Sequence, residues 1–192
     1  MANTKTLVSY RTLRRVIGIL GVTLPLVLVA RSGLLLDSIS AYYDHEGARD
    51  FFVGVLFTAG FYLFCYKGYE KKDDTAGDVA CLSALGVALF PASTMPVLHY
   101  LSAAVLFSTL SYFSLCLFTK THDNGPPTAG KKNRNRVYRT CGWSMVVLMV
   151  LTVLFGAFHW VSDWRPVFWL EAALLAAFGV SWFVKGETLL KD

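Results

Sequence analysis

The stretch VVLMVLTVLFGAF, residues 146–158, decides the fold of this chain. Its apolar side chains do not alternate with polar ones, as a strand with one lipid face and one lumen face would require. With no water in a hydrocarbon core, an isolated apolar run must satisfy its own backbone hydrogen bonds, so it must be a helix. Five further runs have the same character. Together they predict helices over residues 16–36, 50–66, 78–90, 97–118, 137–158 and 166–184. Most approach the roughly 20 residues that span a hydrocarbon core of about 30 Å. Residues 78–90 fall short, and the reading there is a span that thins the bilayer or shelters behind its neighbours.

Composition agrees. The 192 residues are 55% apolar and only 16% charged, with a mean hydropathy of +0.49. A soluble domain carries about a quarter charged residues. The expected class is an all-α integral membrane protein, one domain over residues 1–192, built as a bundle of six transmembrane helices.

Lys5, Arg11, Arg14 and Arg15 precede an apolar run ending LVLVA, the order of a cleavable signal peptide. The run resumes as GLLL after Arg31, so the expectation is a retained first span.

The basic residues set the orientation. Fifteen of the 18 Lys and Arg fall in one set of flanks, and only Arg31, Arg49 and Arg165 in the other. The positive-inside rule then puts both termini in the cytoplasm, N-in and C-in, of a bacterial inner membrane. The net charge of +5 is scattered over four juxtamembrane segments and does not describe a nucleic-acid surface. Its densest piece is KKNRNRVYR, residues 131–139. Beyond setting topology, Lys131, Lys132, Arg134 and Arg136 would draw anionic lipid headgroups, at about 1 kcal/mol per basic residue near the surface. THDNGPPTAG, residues 121–130, reads as a flexible polar loop. Cys65, Cys81, Cys116 and Cys141 show no CxxC spacing and read as buried packing residues.

On the opposite face, SISAYYDHEGARD, residues 38–50, joins helices one and two. Asp37, His45, Asp50, His159, Asp163 and Arg165 lie in or beside the outer loops. Arg31, His99 and Glu171 lie inside the helices. By the predicted boundaries, Arg31 and Glu171 both sit about 7 Å below their helix ends. Intramembrane charges cost several kcal/mol unless paired or hydrated. One expectation is therefore an Arg31–Glu171 ion pair pinning helix one to helix six. The other is an outward-facing polar pocket lined by Arg31, Asp50, His99, Glu171 and His45. His45, Asp50 and His99 are also suitable zinc ligands, with Glu171 as a general base, although no HExxH-type spacing ties them together. Asp50 has a plainer role open to it, at the start of helix two, where a carboxylate favours the helix dipole. No catalytic residue follows from the sequence, and no GxSxG elbow is present.

Trp160, Trp164 and Trp169 predict an outer aromatic belt, with Trp143 and Trp182 toward the inside. Ala84, Gly86 and Ala88, and Ala172, Ala173, Ala176, Ala177 and Gly179, predict close helix contacts.

Residues 16–118 resemble a known group. An ISxxY-type stretch follows helix one, helix three ends in GVALFP at 86–91, and a histidine opens helix four in LHYLSAAVLF at 98–107. This is similar to the six-helix membrane proteins of the FRAG/DRAM/SFK type and their bacterial relatives. The resemblance implies a six-helix bundle with both ends in the cytosol and a connection to lipid handling. By position it makes Ser38, Ser40 and His99 the notable outer polar residues. Seven-helix zinc hydrolases of the alkaline ceramidase kind carry an HxxxH pair in the final helix, and this final helix has no His. The leading expectation is a protein that binds or senses lipid through its outer pocket. A metal-dependent intramembrane hydrolase, or an assembly factor without a ligand, are the alternatives.

Overall fold

A computed structural model of the chain describes residues 9–68, 70–120, 128–158 and 164–190. Lys5, His159, Trp160, Asp163 and Lys191 lie outside the described residues. Every regular element among the described residues is helical. Six helices follow one another: α1 (Tyr10–Ser32), α2 (Glu46–Cys65), α3 (Lys71–Leu89), α4 (Pro96–Tyr112, continued by a π-helical turn Phe113–Leu117), α5 (Ala129–Ala157) and α6 (Pro166–Lys185). A 3-10 turn, Ser40–Asp44, lies between α1 and α2. Five of the six are long and apolar enough to cross a membrane. The sixth, α3, has 19 residues but opens on Lys71, Lys72, Asp73 and Asp74.

Each helix packs on the next, and α6 returns to α1, so the bundle is a closed ring. Neighbours run antiparallel. Arg15 near the start of α1 reaches the carbonyl of Gly186 after α6, while Arg31 near the end of α1 lies over Phe51 near the start of α2. The end holding Arg14, Lys71, Lys131 and Lys185 is called the basic end below.

Close approach explains the small residues. A Cβ on Gly179 would lie 2.3 Å from Val22 and 2.9 Å from the Gly18 carbonyl, and one on Gly86 would lie 2.4 Å from the Ser102 hydroxyl. Small side chains let backbones meet where lipid supplies no hydrophobic drive between helices. At the basic end the core is aromatic. Trp182, fully buried, packs edge-on against Tyr66 and Phe118 at 5.1 Å and tilts over Phe113 at 5.6 Å. Within the π turn, Ser114 donates to Ser181 of α6 at 2.9 Å, and both are fully buried.

Several boundaries differ from those expected. α1 ends at Ser32, not residue 36, because Gly33 caps it in the left-handed conformation (φ 69°), which glycine adopts without steric cost. Leu34–Leu36 are apolar, but they belong to the connection. α3 starts seven residues earlier than its apolar run, because Glu70 and Asp73 form a reciprocal capping box. α5 starts at Ala129, capped by the Thr128 hydroxyl on the Lys131 amide. The KKNRNR segment is therefore helix, not loop, and residues 121–127 of the expected flexible loop lie outside the described residues. One other reading is corrected. Cys65 and Cys116 are exposed, and only Cys81 and Cys141 are buried. Trp182, toward the basic end, is buried in the core, whereas Trp143, Trp164 and Trp169 are exposed.

Candidate functional site

Past Gly33 the chain folds back over the start of α6. Tyr42, fully buried, holds the turn by donating to the Leu34 carbonyl at 2.7 Å and accepting from the Leu36 amide at 3.1 Å. Its ring packs on Phe168 at 6.2 Å. The Phe168 amide donates to the Asp37 carbonyl at 3.0 Å, and Arg165 pairs with the Asp37 carboxylate. In the same turn the Ser38 hydroxyl accepts from the Ala41 amide and shares a hydrogen bond with Ser40. These contacts aim the Ile39 amide at α6. It donates to Oε2 of Glu171 at 2.6 Å.

Glu171 is the sixth residue of α6, so its Cα lies about 7 Å along the helix from its start. Among the described residues, its Oε1 has no protein partner. A half-hydrogen-bonded carboxylate at that depth is expensive to keep. Across from it stands His99, the fourth residue of α4 and only 3% exposed. Its Nδ1 lies 2.8 Å from the Phe90 carbonyl. A carbonyl only accepts, so Nδ1 carries a proton, and in the neutral ring Nε2 is left as an acceptor.

His99, Glu171, Ser38 and Ser40 line a cavity of about 500 Å³. Its walls are otherwise largely apolar, from Ala103 and Phe107 of α4, Met149 and Val153 of α5, and Leu174 of α6. α4 and α5 meet closely at the basic end, where a Cβ on Gly142 would lie 2.5 Å from Leu115 and Asn135 reaches the Thr119 carbonyl. Toward the other end the cavity separates them. Tyr100 and Val153, both more than 60% exposed, stand on its rim, so it opens sideways out of the bundle between α4 and α5. A smaller lobe of about 90 Å³ continues inward past His99 and Glu171 to Leu24, Leu56 and Phe178. Among the described residues no Lys or Arg lines either lobe.

Of the five residues expected to form a pocket, two therefore meet. The other three do not. Arg31 occupies the last turn of α1, because that helix stops at Gly33. It is exposed, and its guanidinium stacks on Phe51 at 4.8 Å. No ion pair joins it to Glu171. Asp50 does not open α2, which begins at Glu46 behind His45. It is an exposed residue of the second turn. His45 is half-buried, with an Nδ1 that lacks a partner, but it does not line the cavity. Among the described residues no three His, Cys, Asp or Glu side chains gather as a metal-holding group, so His45, Asp50 and His99 are not drawn together. Sequence reading had no means of finding the Ile39 amide, since a backbone donor leaves no mark on residue type. Ser38 and Ser40 were marked only by the resemblance of residues 16–118, which makes them notable outer polar residues.

No known protein family, curated protein or solved structure matches the chain.

Proposed function

We propose that this is a small multi-pass membrane protein that holds a lipid in the cavity between α4, α5 and α6. The observation that carries the reading is the lateral opening. An apolar groove open to the side can admit an acyl chain directly from the bilayer. Its polar head offers two acceptors, a carboxylate and an imidazole Nε2, beside two hydroxyls that can donate or accept, and among the described residues no Lys or Arg lines it. Such a set favours a headgroup that donates hydrogen bonds, an amine or a polyol, over a bare phosphate. A bound ammonium would also relieve the partly desolvated Glu171 charge.

The rest of the reading follows the charge pattern. All six helices would cross a bacterial inner membrane, α3 included, with both termini cytoplasmic and residues 33–45 on the outer face. The concentration of Lys and Arg at one end supports this orientation. The likeness of residues 16–118 to proteins of the FRAG/DRAM/SFK type points the same way, toward lipid handling.

The test is lipid analysis of the purified protein. Wild type is expected to retain a stoichiometric amino- or polyol-headgroup lipid. Gly156→Trp should expel it, because nothing lies within 4 Å of a Cβ there and Gly156 lines the groove. Glu171→Ala should weaken retention. Equal lipid recovery from all three proteins would leave the cluster as a structural pin only. Stoichiometric zinc in the same preparations would instead favour a metal-dependent hydrolase.

A further inference from the structure

The polar head of the groove has a depth and a hydrogen-bonding sense, and the two together narrow its ligand. We propose that the group held there is an uncharged glycerol with free hydroxyls, so that the ligand is an acylglycerol without a phosphate. This rests on the groove being a lipid site, and it selects the polyol over the amine.

Depth comes first. His99 is the fourth residue of α4 and Glu171 the sixth of α6. Exposed Trp rings on a membrane helix sit at headgroup level, and Trp169 is such a ring. Glu171 follows it by two residues, about 3 Å further in. The polar set therefore faces the part of a lipid where head and chain join. The terminal amine of a phospholipid lies beyond its phosphate, and would reach Glu171 only by drawing that phosphate inward. Among the described residues no Lys or Arg lines the groove to receive it, and a buried charge without a partner is strongly unfavourable.

The hydrogen-bond count comes second. Among the described residues Oε1 of Glu171 has no protein partner, and a carboxylate oxygen only accepts. Nε2 of the neutral His99 ring accepts too, because Nδ1 faces the Phe90 carbonyl. Ser38 accepts from the Ala41 amide and shares one hydrogen bond with Ser40. Whichever serine donates in that bond, the hydrogen of the other is left for the cavity. The head of the groove thus offers two acceptors and one donor. A glycerol hydroxyl both donates and accepts, and so answers both kinds. An ammonium only donates, and an ester or a bare phosphate oxygen only accepts.

The apolar part fits the chain of such a lipid. Below the head, Ala103 and Phe107 of α4 and Met149 of α5 form the wall. From His99 to Phe107 α4 rises about 12 Å. That is within one leaflet of a hydrocarbon core about 30 Å thick.

The experiment follows thermal unfolding of the purified full chain in an uncharged detergent, with each probe at matched mole fraction in the micelles. The probes are mono-oleoylglycerol, its dimethyl ether, oleoyl-lysophosphatidylglycerol and oleylamine. Mono-oleoylglycerol should raise the midpoint. Its concentration for half the shift should lie roughly tenfold below that of the ether, as a hydrogen bond to a charged group implies. The phosphate-bearing lipid and the amine should also need higher concentrations. In Glu171→Gln an amide donor replaces the free acceptor, and the gap between alcohol and ether should narrow to about threefold or less. Gly156→Trp should abolish the shift by every probe. Suppose the phosphate-bearing lipid or the amine acts at a concentration no higher than mono-oleoylglycerol, and Gly156→Trp removes that shift. The groove then remains a lipid site and the acylglycerol is overturned. It is overturned likewise if alcohol and ether act alike in wild type, or if Glu171→Gln leaves their gap unchanged. If no probe gives a shift that depends on Gly156, the lipid reading of the groove falls and the acylglycerol falls with it. Should Gly156→Trp fail to fold, Val153→Trp, on the exposed rim, takes its place.

Discussion

Ile39 and Glu171 lie 132 positions apart, yet the amide of the first donates to the carboxylate of the second at 2.6 Å. The bond ties the connection after α1 to the second turn of α6. It also fixes one oxygen of Glu171 and leaves the other for the cavity. The partner is an amide, not a cation, and the two substitutions at this position are therefore expected to diverge. Glu171→Gln keeps an oxygen that can accept from Ile39 and should cost less than about 1 kcal/mol. Glu171→Ala strands a half-buried amide and should cost about 1–3 kcal/mol. Unfolding in detergent measures both. Equal losses would mean that charge, and hence an unseen cation, matters more than the acceptor.

Tyr42 and Arg31 offer a contrast between a bound and an unbound polar residue. Tyr42→Phe removes the partner of both Leu34 and Leu36 in a fully buried position. About 1–3 kcal/mol should be lost, and the cavity should loosen with the turn that carries Ser38 and Ser40. Arg31→Ala removes only a stacking contact with Phe51. An exposed contact of this kind is worth about 0.5–1 kcal/mol. A larger loss at Arg31 than at Tyr42, by the same melts, would restore the ion pair expected from sequence.

The fold was legible wherever a helix boundary coincided with a change in polarity. α4 and α6 begin within a residue of their expected starts, because Pro96 and Pro166 stand at the first helical positions. It was illegible where capping chemistry overruled hydropathy. Gly33 ended α1 inside an apolar run, and Glu70 with Asp73 began α3 inside a charged one. The first of these errors carried into the site, since it placed Arg31 a turn too deep and gave it a partner it does not have. His99 and Glu171 were found because polar side chains inside apolar helices need a reason. The groove was not, because the divergence of α4 from α5 is a property of packing, not of either sequence.

The contact of α1 with α6 makes a steric prediction. Gly179→Ala would set a Cβ 2.3 Å from Val22 and 2.9 Å from the Gly18 carbonyl. Val22 can rotate, but the backbone carbonyl cannot, so the helices must part. Overpacking of this kind costs about 1–3 kcal/mol. Gly54→Ala meets nothing within 4 Å and recovers helix propensity, so it should be neutral or stabilising by up to about 1 kcal/mol. Both variants are read by the same thermal melt, and a tolerated Gly179→Ala would show that the two helices do not approach this closely.

The last prediction concerns pH at the basic end. Lys120 meets Glu70 at 3.0 Å. Its hydrogen bond and its charge hold the Glu70 carboxyl below the usual 4.5, and the same bond raises Lys120 above its usual 10.5. A depressed carboxyl contributes stability that is complete above its unfolded value and disappears as pH falls through the lower, folded one. A raised amine contributes below its unfolded value and loses that contribution as pH rises through the folded one. The pair is therefore intact between about pH 4.5 and 10.5. The melting difference between wild type and Lys120→Gln should be constant across neutral pH and close below 4.5. Both groups reach solvent, so added salt should shrink the difference as well. A difference that survives at pH values where Glu70 is protonated, or that ignores salt, would assign the role of Lys120 to something other than this pair. The candidate would then be Asp73, buried within the capping box and 4.0 Å from the same ammonium, and Glu70→Gln would leave that difference unchanged.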